Sequence, residues 1–548
     1  MNAYLDISDS NSLESLYDQL QDQNVSYEEA LRMAGDHHTY QIRISALVFL
    51  GMIIAGLQIM EFPFMFQTPE VECQSPTGEW FDCVPNDTVC AYPIRPKSGS
   101  INSVIVTYQL YCSHHEYRII GETSYMIASA LGVLALAPIA DKYGKRVVLL
   151  VSYIITCLSL LGSHFAPNWI IFLLLLVFSG LGRAPFIYYG FQLLVEVSNE
   201  RFRSIGVLIM GVSFALGAAI TGFCSTIINH NWEHFYFYFI AVPSVLGLPF
   251  VYFWADESPM SYFPRYEYDS ARKALQKIAK INRFYLPYFR FTKENVHYEN
   301  YVSDNEFITE KITKKHSAYS YLDLFRYKSL RLSAIGGSYL SFATYFIFYG
   351  QILALDVLAR NPALVAIVTS LIEGLSCVAS MRLLTNFTRR ATMMISFSIT
   401  TLAFFLFAMV RKEEVCDPGN NDCLFIFEWI GFIELCVGRF WIAMLMCTTF
   451  VYANELFPTV IRSRGSGLIN FCGRIGSVIP SAVIYVCKMT NISPAFIFGA
   501  IAAPASLVVY FMKETKGIPL AHHIEEEEEE AELRRKNEEQ QQGIRLNL

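Results

Sequence analysis

Five ionisable residues stand in stretches that are otherwise apolar or small. Arg183 lies in SGLGRAPFIYYG, Glu373 in SLIEGLS, Glu434 and Arg439 in IGFIELCVGRFW, and Arg474 in NFCGRIGSVIP. A charge placed in hydrocarbon costs about 2.5 kcal/mol or more, so each of the five needs a reason. An arginine there can hold a carboxylate or sulfonate by two parallel hydrogen bonds in a low-dielectric cavity. Arg474 is the first candidate, because Gly473, Gly476 and Ser477 beside it let a neighbouring backbone or a ligand approach. The plainer alternative is that it pairs with an acid such as Glu373.

Glu373 reads equally as a cavity-lining or gating acid and as the structural partner of a buried base. Arg183 is either a second anion contact or a partner across the bundle, and the structural reading is the simpler. Three arginines against two acids leave a formal positive excess, which disfavours a simple organic cation. The stretch FATYFIFYGQ (342–351) adds Tyr345, Phe348, Tyr349 and Gln351 to the candidate site. Aromatic rings can stack on the apolar body of an amphiphilic substrate while hydroxyls bond its polar end.

These residues need a scaffold that crosses a bilayer. Apolar and cysteine residues make up 53% of the chain and charged residues 17%, with the charges gathered in short clusters between long apolar runs such as IIFLLLLVFSGLG. About twelve windows reach the roughly 20 residues that a bilayer core requires. They lie near 45–66, 120–140, 147–166, 169–191, 204–228, 236–254, 332–355, 363–384, 392–410, 425–452, 466–487 and 495–512. The expectation is an all-α polytopic membrane protein. Residues 1–44 form a polar N-terminal segment without a cleavable leader, 45–254 a first bundle of six helices, 255–328 a charged linker, 329–512 a second bundle of six, and 513–548 an acidic tail.

Two independent signals orient the chain. Lys142, Lys145, Arg146, Arg201, Arg203, Arg389, Arg390, Arg462 and Arg464 fall in the loops that face inward if both termini are cytoplasmic. Of the thirteen cysteines, Cys73, Cys83, Cys90, Cys112, Cys416 and Cys423 lie outside the apolar windows, and all fall in the loops on the opposite side, where disulfides can persist. The first outer loop, 67–118, also carries an N-glycosylation acceptor at Asn86.

Charged signatures recur at matching places in the two halves. DKYGKR (141–146) corresponds to TNFTRR (385–390), and EVSNERFRS (196–204) to NELFPTVIRSRGSG (454–467). Asp141, Arg146, Glu196 and Arg203 in the first half, with Glu455 and Arg462 in the second, can form ion pairs that hold the inner side closed. Topology alone accounts for isolated loop bases, whereas the paired acids favour a gate.

On these residues the chain resembles the major facilitator superfamily, and more narrowly its organic ion transporter family of cation, anion and carnitine carriers. DKYGKR resembles the superfamily's D-x-x-G-R-R loop, DESPMSYFPRYEYDSARKALQKIAKIN (256–282) the family's P-E-S-P-R-W stretch, and NELFPTVIRSRGSG its E-L-F/Y-P-T-x-x-R-x-x-G motif. The resemblance runs from EEALRMAG near residue 28 to KETKGIPL at 513–520. TNFTRR departs from it by lacking an acid and a glycine, and ESPM by lacking the arginine.

The resemblance implies a twelve-helix 6+6 fold, an anion or zwitterion carrier's arginine at Arg474, an eighth-helix acid at Glu373, an aromatic-glycine site at Phe348, Tyr349 and Gly350, and a tenth-helix base at Arg439.

The functional expectation is a secondary transporter working by alternating access in the plasma membrane, with a small organic anion or a carnitine-like zwitterion as substrate. With no acid at the middle of the first helix, facilitated diffusion or exchange is favoured over proton symport. A sugar porter, a synaptic-vesicle-like relative, and a non-transporting receptor or scaffold are the alternatives. No nucleophile motif, phosphate loop or dinucleotide fingerprint argues for an enzyme, and no cofactor, metal or nucleic-acid partner is expected. The tail EEEEEEAELRRKNEEQQQG reads as a solvated charge run or a partner-binding segment.

Overall fold

The computed structural model describes residues 27–67, 69–75, 78–83, 93–98, 101–110, 117–227, 231–265, 267–286, 321–354, 362–409, 421–457, 461–490 and 492–516. Twelve long helices coincide with the twelve apolar windows. The first six are α1 (Thr39–Met65), α2 (Tyr117–Tyr143), α3 (Lys145–His164), α4 (Trp169–Glu196), α5 (Glu200–Ile227) and α6 (Trp232–Trp254). The second six are α7 (Lys328–Leu353), α8 (Pro362–Asn386), α9 (Arg389–Met409), α10 (Asn421–Glu455), α11 (Arg462–Thr490) and α12 (Pro494–Phe511).

Among the described residues, ten of these helices are long and apolar enough to cross a membrane by length and composition. On α3 the exposed Val147, Val151, Ile154 and Leu158 recur at helical spacing, and α6 exposes Leu246, Phe250 and Phe253. Such stripes are suited to lipid and are tolerated nowhere else in this quantity.

Association of helices in lipid depends on close packing, and small residues supply it. A Cβ on Gly56 of α1 would lie 2.2 Å from the Phe214 carbonyl oxygen of α5, and one on Gly217 of α5 would lie 2.3 Å from the Ile53 oxygen of α1. The same reciprocity ties α2 to α4 through Gly132 and Gly180, where a Cβ would lie 2.4 and 2.6 Å from the Leu181 and Tyr125 carbonyl oxygens. In the second half a Cβ on Gly476 of α11 would lie 2.4 Å from the Phe342 oxygen of α7, and one on Gly473 2.5 Å from the Ser341 hydroxyl. The glycines flanking Arg474 therefore serve the α7–α11 contact.

Between the halves, α5 packs on α8, where Gly222 lies against Ile367, and α2 meets α11, where the Thr123 and Ser481 hydroxyls are 2.7 Å apart. Phe191 of α4 and Phe450 of α10 meet edge to face at 4.9 Å. After α1 the chain forms a small antiparallel sheet, ordered with Val71–Gln74 between Trp80–Cys83 and Ile94–Pro96, and Cys73 is disulfide-bonded to Cys83. Cys90, Cys112, Cys416 and Asn86 lie outside the described residues, as does the side chain of Cys423.

The linker begins with an ordered helix, Tyr268–Asn282, whose Ala271, Leu275, Ile278 and Ala279 are buried against Ala30, Leu31 and Ala34 around the short helix Tyr27–Met33. Asn282 closes this unit: its side-chain oxygen accepts from the Tyr40 amide at 2.8 Å, and its amide donates to the Ala34 and Gly35 carbonyls. Gln41 donates in turn to Gly35 and to the Val197 carbonyl at the end of α4.

Gly476→Leu is expected to lower stability by about 1–3 kcal/mol, because the new side chain meets a backbone carbonyl that cannot yield. Gly190→Ala, whose Cβ finds only ordinary contacts at 3.6 Å and beyond, is the control. Thermal melting of the detergent-solubilised variants reads the difference.

Candidate functional site: a charged cavity between the two halves

A cavity of about 250 Å³ lies between the two groups of helices, lined from α1, α2, α4 and α5 on one side and α7, α8, α10 and α11 on the other. Its middle holds Arg183, Tyr345, Phe348, Tyr349, Glu373 and Arg474, and from there it runs past Phe191, Phe450, Gly467 and Tyr321 toward the end of the bundle that carries the linker. The candidate residues Tyr345, Phe348, Tyr349, Glu373 and Arg474 thus come together. Arg439 and Gln351 are not in the wall, and Gln351 instead donates to the Leu435 carbonyl at 3.2 Å. Glu434 is also off the cavity, with one carboxylate oxygen buried and unbonded.

The acid in the cavity already has its partner. Arg439 donates to Glu373 at 2.5 Å and to the Phe348 carbonyl at 3.1 Å, with its guanidinium 4.3 Å from the Phe348 ring centre. The two residues are only 2% and 3% exposed, so in this setting removal of either would strand a buried charge. This pair answers the alternative posed for Arg474: Glu373 is taken by Arg439.

Arg474 is half-buried and faces tyrosines. Its guanidinium carbon is 5.7 Å from the Tyr345 ring centre, and Tyr349 lines the same wall. Arg183 has the same character on the opposite wall: 5% exposed, it lies 5.0 Å from the ring centre of Tyr125, and its Nε is buried with no partner. Among the described residues neither arginine is ion-paired. Arg183 stands in the cavity wall, across from Arg474.

Tyr125, which sequence reasoning did not single out, anchors this side. Its hydroxyl donates to the Gln58 side-chain oxygen at 3.2 Å, and Gln58 donates to Ser179 and Tyr236. One polar chain thereby links α1, α2, α4 and α6 beneath Arg183. Arginine over an aromatic face is a weak neutraliser compared with a carboxylate, so both guanidiniums keep most of their charge for a ligand.

At the linker end each half is tied by an acid that follows its sixth helix. Glu257 accepts from the Lys145 and Arg146 amides at 3.0 and 3.1 Å, at the N-terminus of α3. Glu514 accepts from the Arg389 and Arg390 amides at 2.9 and 3.0 Å, at the N-terminus of α9. A carboxylate at a helix N-terminus satisfies orphan amides and meets the positive end of the helix dipole. Gly144 makes the first contact possible: its φ of +94° is open to glycine, and a Cβ there would lie 2.1 Å from the Glu257 carboxylate.

The gating candidates are arranged around these caps. Glu196 pairs with Lys145, and Glu455 pairs with Arg389 at 3.3 Å and accepts from Thr515 at 2.6 Å. Arg146 contributes its backbone amide to Glu257, and the side chains of Asp141, Arg203 and Arg462 lie outside the described residues. Glu257 and Glu514 were not singled out from sequence, although their matching places in DESP and KETK are the internal-repeat signal that could have found them.

Comparison with known proteins agrees with the twelve-helix fold. Residues 99–481 match the family profile described as Major Facilitator Superfamily. Solute carrier family 22 member 6 of Rattus norvegicus is 24% identical over 77% of this chain and 73% of its own length. Organic cation transporter 1 of Caenorhabditis elegans is also 24% identical, over 91% of this chain and 88% of its own. Among solved structures, the inward open xylose transporter XylE from E. coli superposes with a TM-score of 0.59 at 14% identity, covering 87% of this chain and 97% of that one.

Two outcomes follow from the ionic arrangement. Glu373→Gln is expected to destabilise the protein by about 3–5 kcal/mol, because Arg439 is left buried without its carboxylate. The double variant Glu373→Leu with Arg439→Met is expected to melt above the single one, and equal melting would show that the pair is not the source of the loss. Glu514 supplies a pH dependence: burial opposes its ionisation, but amides including those of Lys516, Arg390 and Arg389 prevail and hold its carboxyl below the usual carboxylate range. A depressed folded-state value contributes stability that is present above the unfolded carboxylate value and lost as pH falls through the folded one. Melting temperature against pH is therefore expected to show an acid limb that is shallower in Glu514→Gln.

Proposed function

The chain belongs to the Major Facilitator Superfamily and works as a secondary transporter in a membrane, and on that premise we propose that it carries a small organic anion or a carnitine-like zwitterion. The observation that carries this reading is the pair of arginines, Arg474 and Arg183, that face one cavity from opposite halves without a carboxylate partner, while Glu373 is neutralised by Arg439. A cation entering this cavity meets two guanidiniums and no free acid in its wall. An anion meets two donors, each already oriented by a tyrosine.

Arg474 takes the carboxylate, Tyr349 and Tyr345 bond or stack beside it, and Phe348 covers the apolar body. Binding neutralises a charge that each half otherwise holds alone, which draws the halves together around the substrate. The caps at Glu257 and Glu514 and the pairs Lys145–Glu196 and Arg389–Glu455 steady the linker end during the rocking motion. Positive-inside counting puts that end, with both termini, in the cytoplasm, and relatives of this type suggest the plasma membrane. Gln351 points away from the cavity, so the sugar-porter alternative loses its one hydroxyl-binding amide. With no acid at the middle of α1, exchange or facilitated diffusion fits better than proton symport.

The test is uptake into liposomes of a radiolabelled aromatic carboxylate, carnitine and a quaternary ammonium. Wild type is expected to take up the carboxylate or carnitine. Arg474→Ala and Arg474→Asp are expected to reduce that uptake at least tenfold, in keeping with the loss of about 2–5 kcal/mol for a desolvated charge contact. Uptake of the ammonium alone, or normal transport by Arg474→Ala, would overturn the reading, and no uptake of any probe would favour a scaffold.

A further inference from the structure

Cys377 on α8 and Cys447 on α10 lie in the cavity wall with their sulfurs 3.6 Å apart, the Cys447 thiol donating to the Cys377 sulfur. Both are free thiols, and among the described residues no other free thiol is hydrogen-bonded to a second one. The transport mechanism uses neither. Packing alone would be served by alanine or serine, and thiols paired at this distance have a chemistry that single thiols lack.

The spacing discriminates between partners. A disulfide needs its sulfurs at about 2.05 Å, well inside the separation found here. A single soft atom bonded to both sulfurs needs them near the distance they already hold, and thiol sulfur prefers soft partners. The surroundings select further, since Met446, Phe450, Phe214 and Ala443 make this part of the wall apolar. A neutral product is favoured there over an ionic one.

We propose that Cys377 and Cys447 form a paired-thiol site, opening on the central cavity, that binds a trivalent arsenoxide with one arsenic bridging both sulfurs. The hydrated arsenical carries two hydroxyl groups on arsenic and one organic group. Each As–O bond breaks as an As–S bond forms, each thiol proton leaves with its hydroxyl as water, and two waters are released. Arsenic stays trivalent, no electrons are transferred, and the product is neutral. The second bond forms within the site, so the bridged adduct resists a competing monothiol and yields to a small dithiol.

The site also has a mechanical position. A Cβ on Gly211 of α5 would lie 2.3 Å from the Cys377 sulfur and 3.7 Å from that of Cys447, so the pair occupies the hollow where the two halves meet. Bridging fixes α8 to α10 and puts the organic group of the arsenical into the cavity, which stops the halves from rocking. This consequence rests on the transport reading, whereas the binding does not.

Full-length purified protein is treated with phenylarsine oxide, washed with excess 2-mercaptoethanol, and its retained arsenic is measured by elemental analysis. Wild type is expected to retain arsenic that 2,3-dimercaptopropanol removes, and Cys377→Ser and Cys447→Ser are each expected to retain at least tenfold less at this site. Peptide mapping of the adduct should join the segments around residues 377 and 447. The proposal fails if wild type retains none there, or if the serine variants, folded by size exclusion and melting, retain as much. Should serine prevent folding, Cys377→Ala and Cys447→Ala give the same comparison.

In liposomes the arsenical is expected to stop wild-type uptake reversibly and to leave each serine variant at its own untreated rate. Binding without loss of uptake would overturn the placement at the moving interface. Absence of uptake before treatment would count against transport alone, because the arsenic measurement still judges the site.

Discussion

A guanidinium taken out of water must find a carboxylate, a set of hydrogen-bond acceptors or a route back to water, and this chain treats its three membrane arginines differently. Arg439 receives the full complement, a carboxylate from Glu373, a carbonyl from Phe348 and the face of a ring. Arg474 and Arg183 receive tyrosines only. The rest of the architecture follows from keeping those two open to a cavity: eight helices must bring a face to it, and glycines must draw α11 onto α7 so that Arg474 is held in place. Peripheral helices carry the lipid-facing apolar surface that the cavity-lining ones cannot. A substrate that supplies negative charge would complete an arrangement the protein leaves unfinished.

The same division of labour appears at the linker end. Two helix N-termini, those of α3 and α9, would expose orphan amides, and in each half the chain brings back an acid from beyond the sixth helix to cap them. The caps are duplicated although the sequences around them are not: DKYGKR keeps a glycine where the carboxylate approaches, while TNFTRR manages with Thr388 at that place. The missing acid and glycine of the second-half loop therefore do not remove its capping carboxylate, which comes from Glu514 instead.

Much of this was legible in the sequence because it is written in composition over windows of helical length. Twelve apolar windows became twelve helices, and buried arginines flagged themselves by the cost of their position. Pairings were less legible, since they depend on which faces of non-adjacent helices meet. Glu373 could serve Arg439 or Arg474 as far as spacing goes, and only the packing of α8 against α10 decides for Arg439. Gln351 looked like a site residue because it ends an aromatic stretch, but the helix turns it toward α10. Tyr125 was invisible for the opposite reason: it is ordinary in sequence and acquires its role from Gln58 on another helix, whereas Glu257 and Glu514 left only the faint trace of matching places in DESP and KETK.

The docked linker helix changes what the connection between the halves is. Asn282 is bonded to the start of α1 and, through Gln41, to the end of α4, while Lys277 is paired with Asp256. More than a third of the linker is thus not a tether but an extension of the first half's own framework. A pull on the chain beyond Asn282 meets the first half at the mouth of α1, through the Tyr40 amide, and at the end of α4, through Gln41. Asn282 therefore gathers the ends of two cavity-lining helices, α1 and α4, at one knot, where a load on the linker is shared between them.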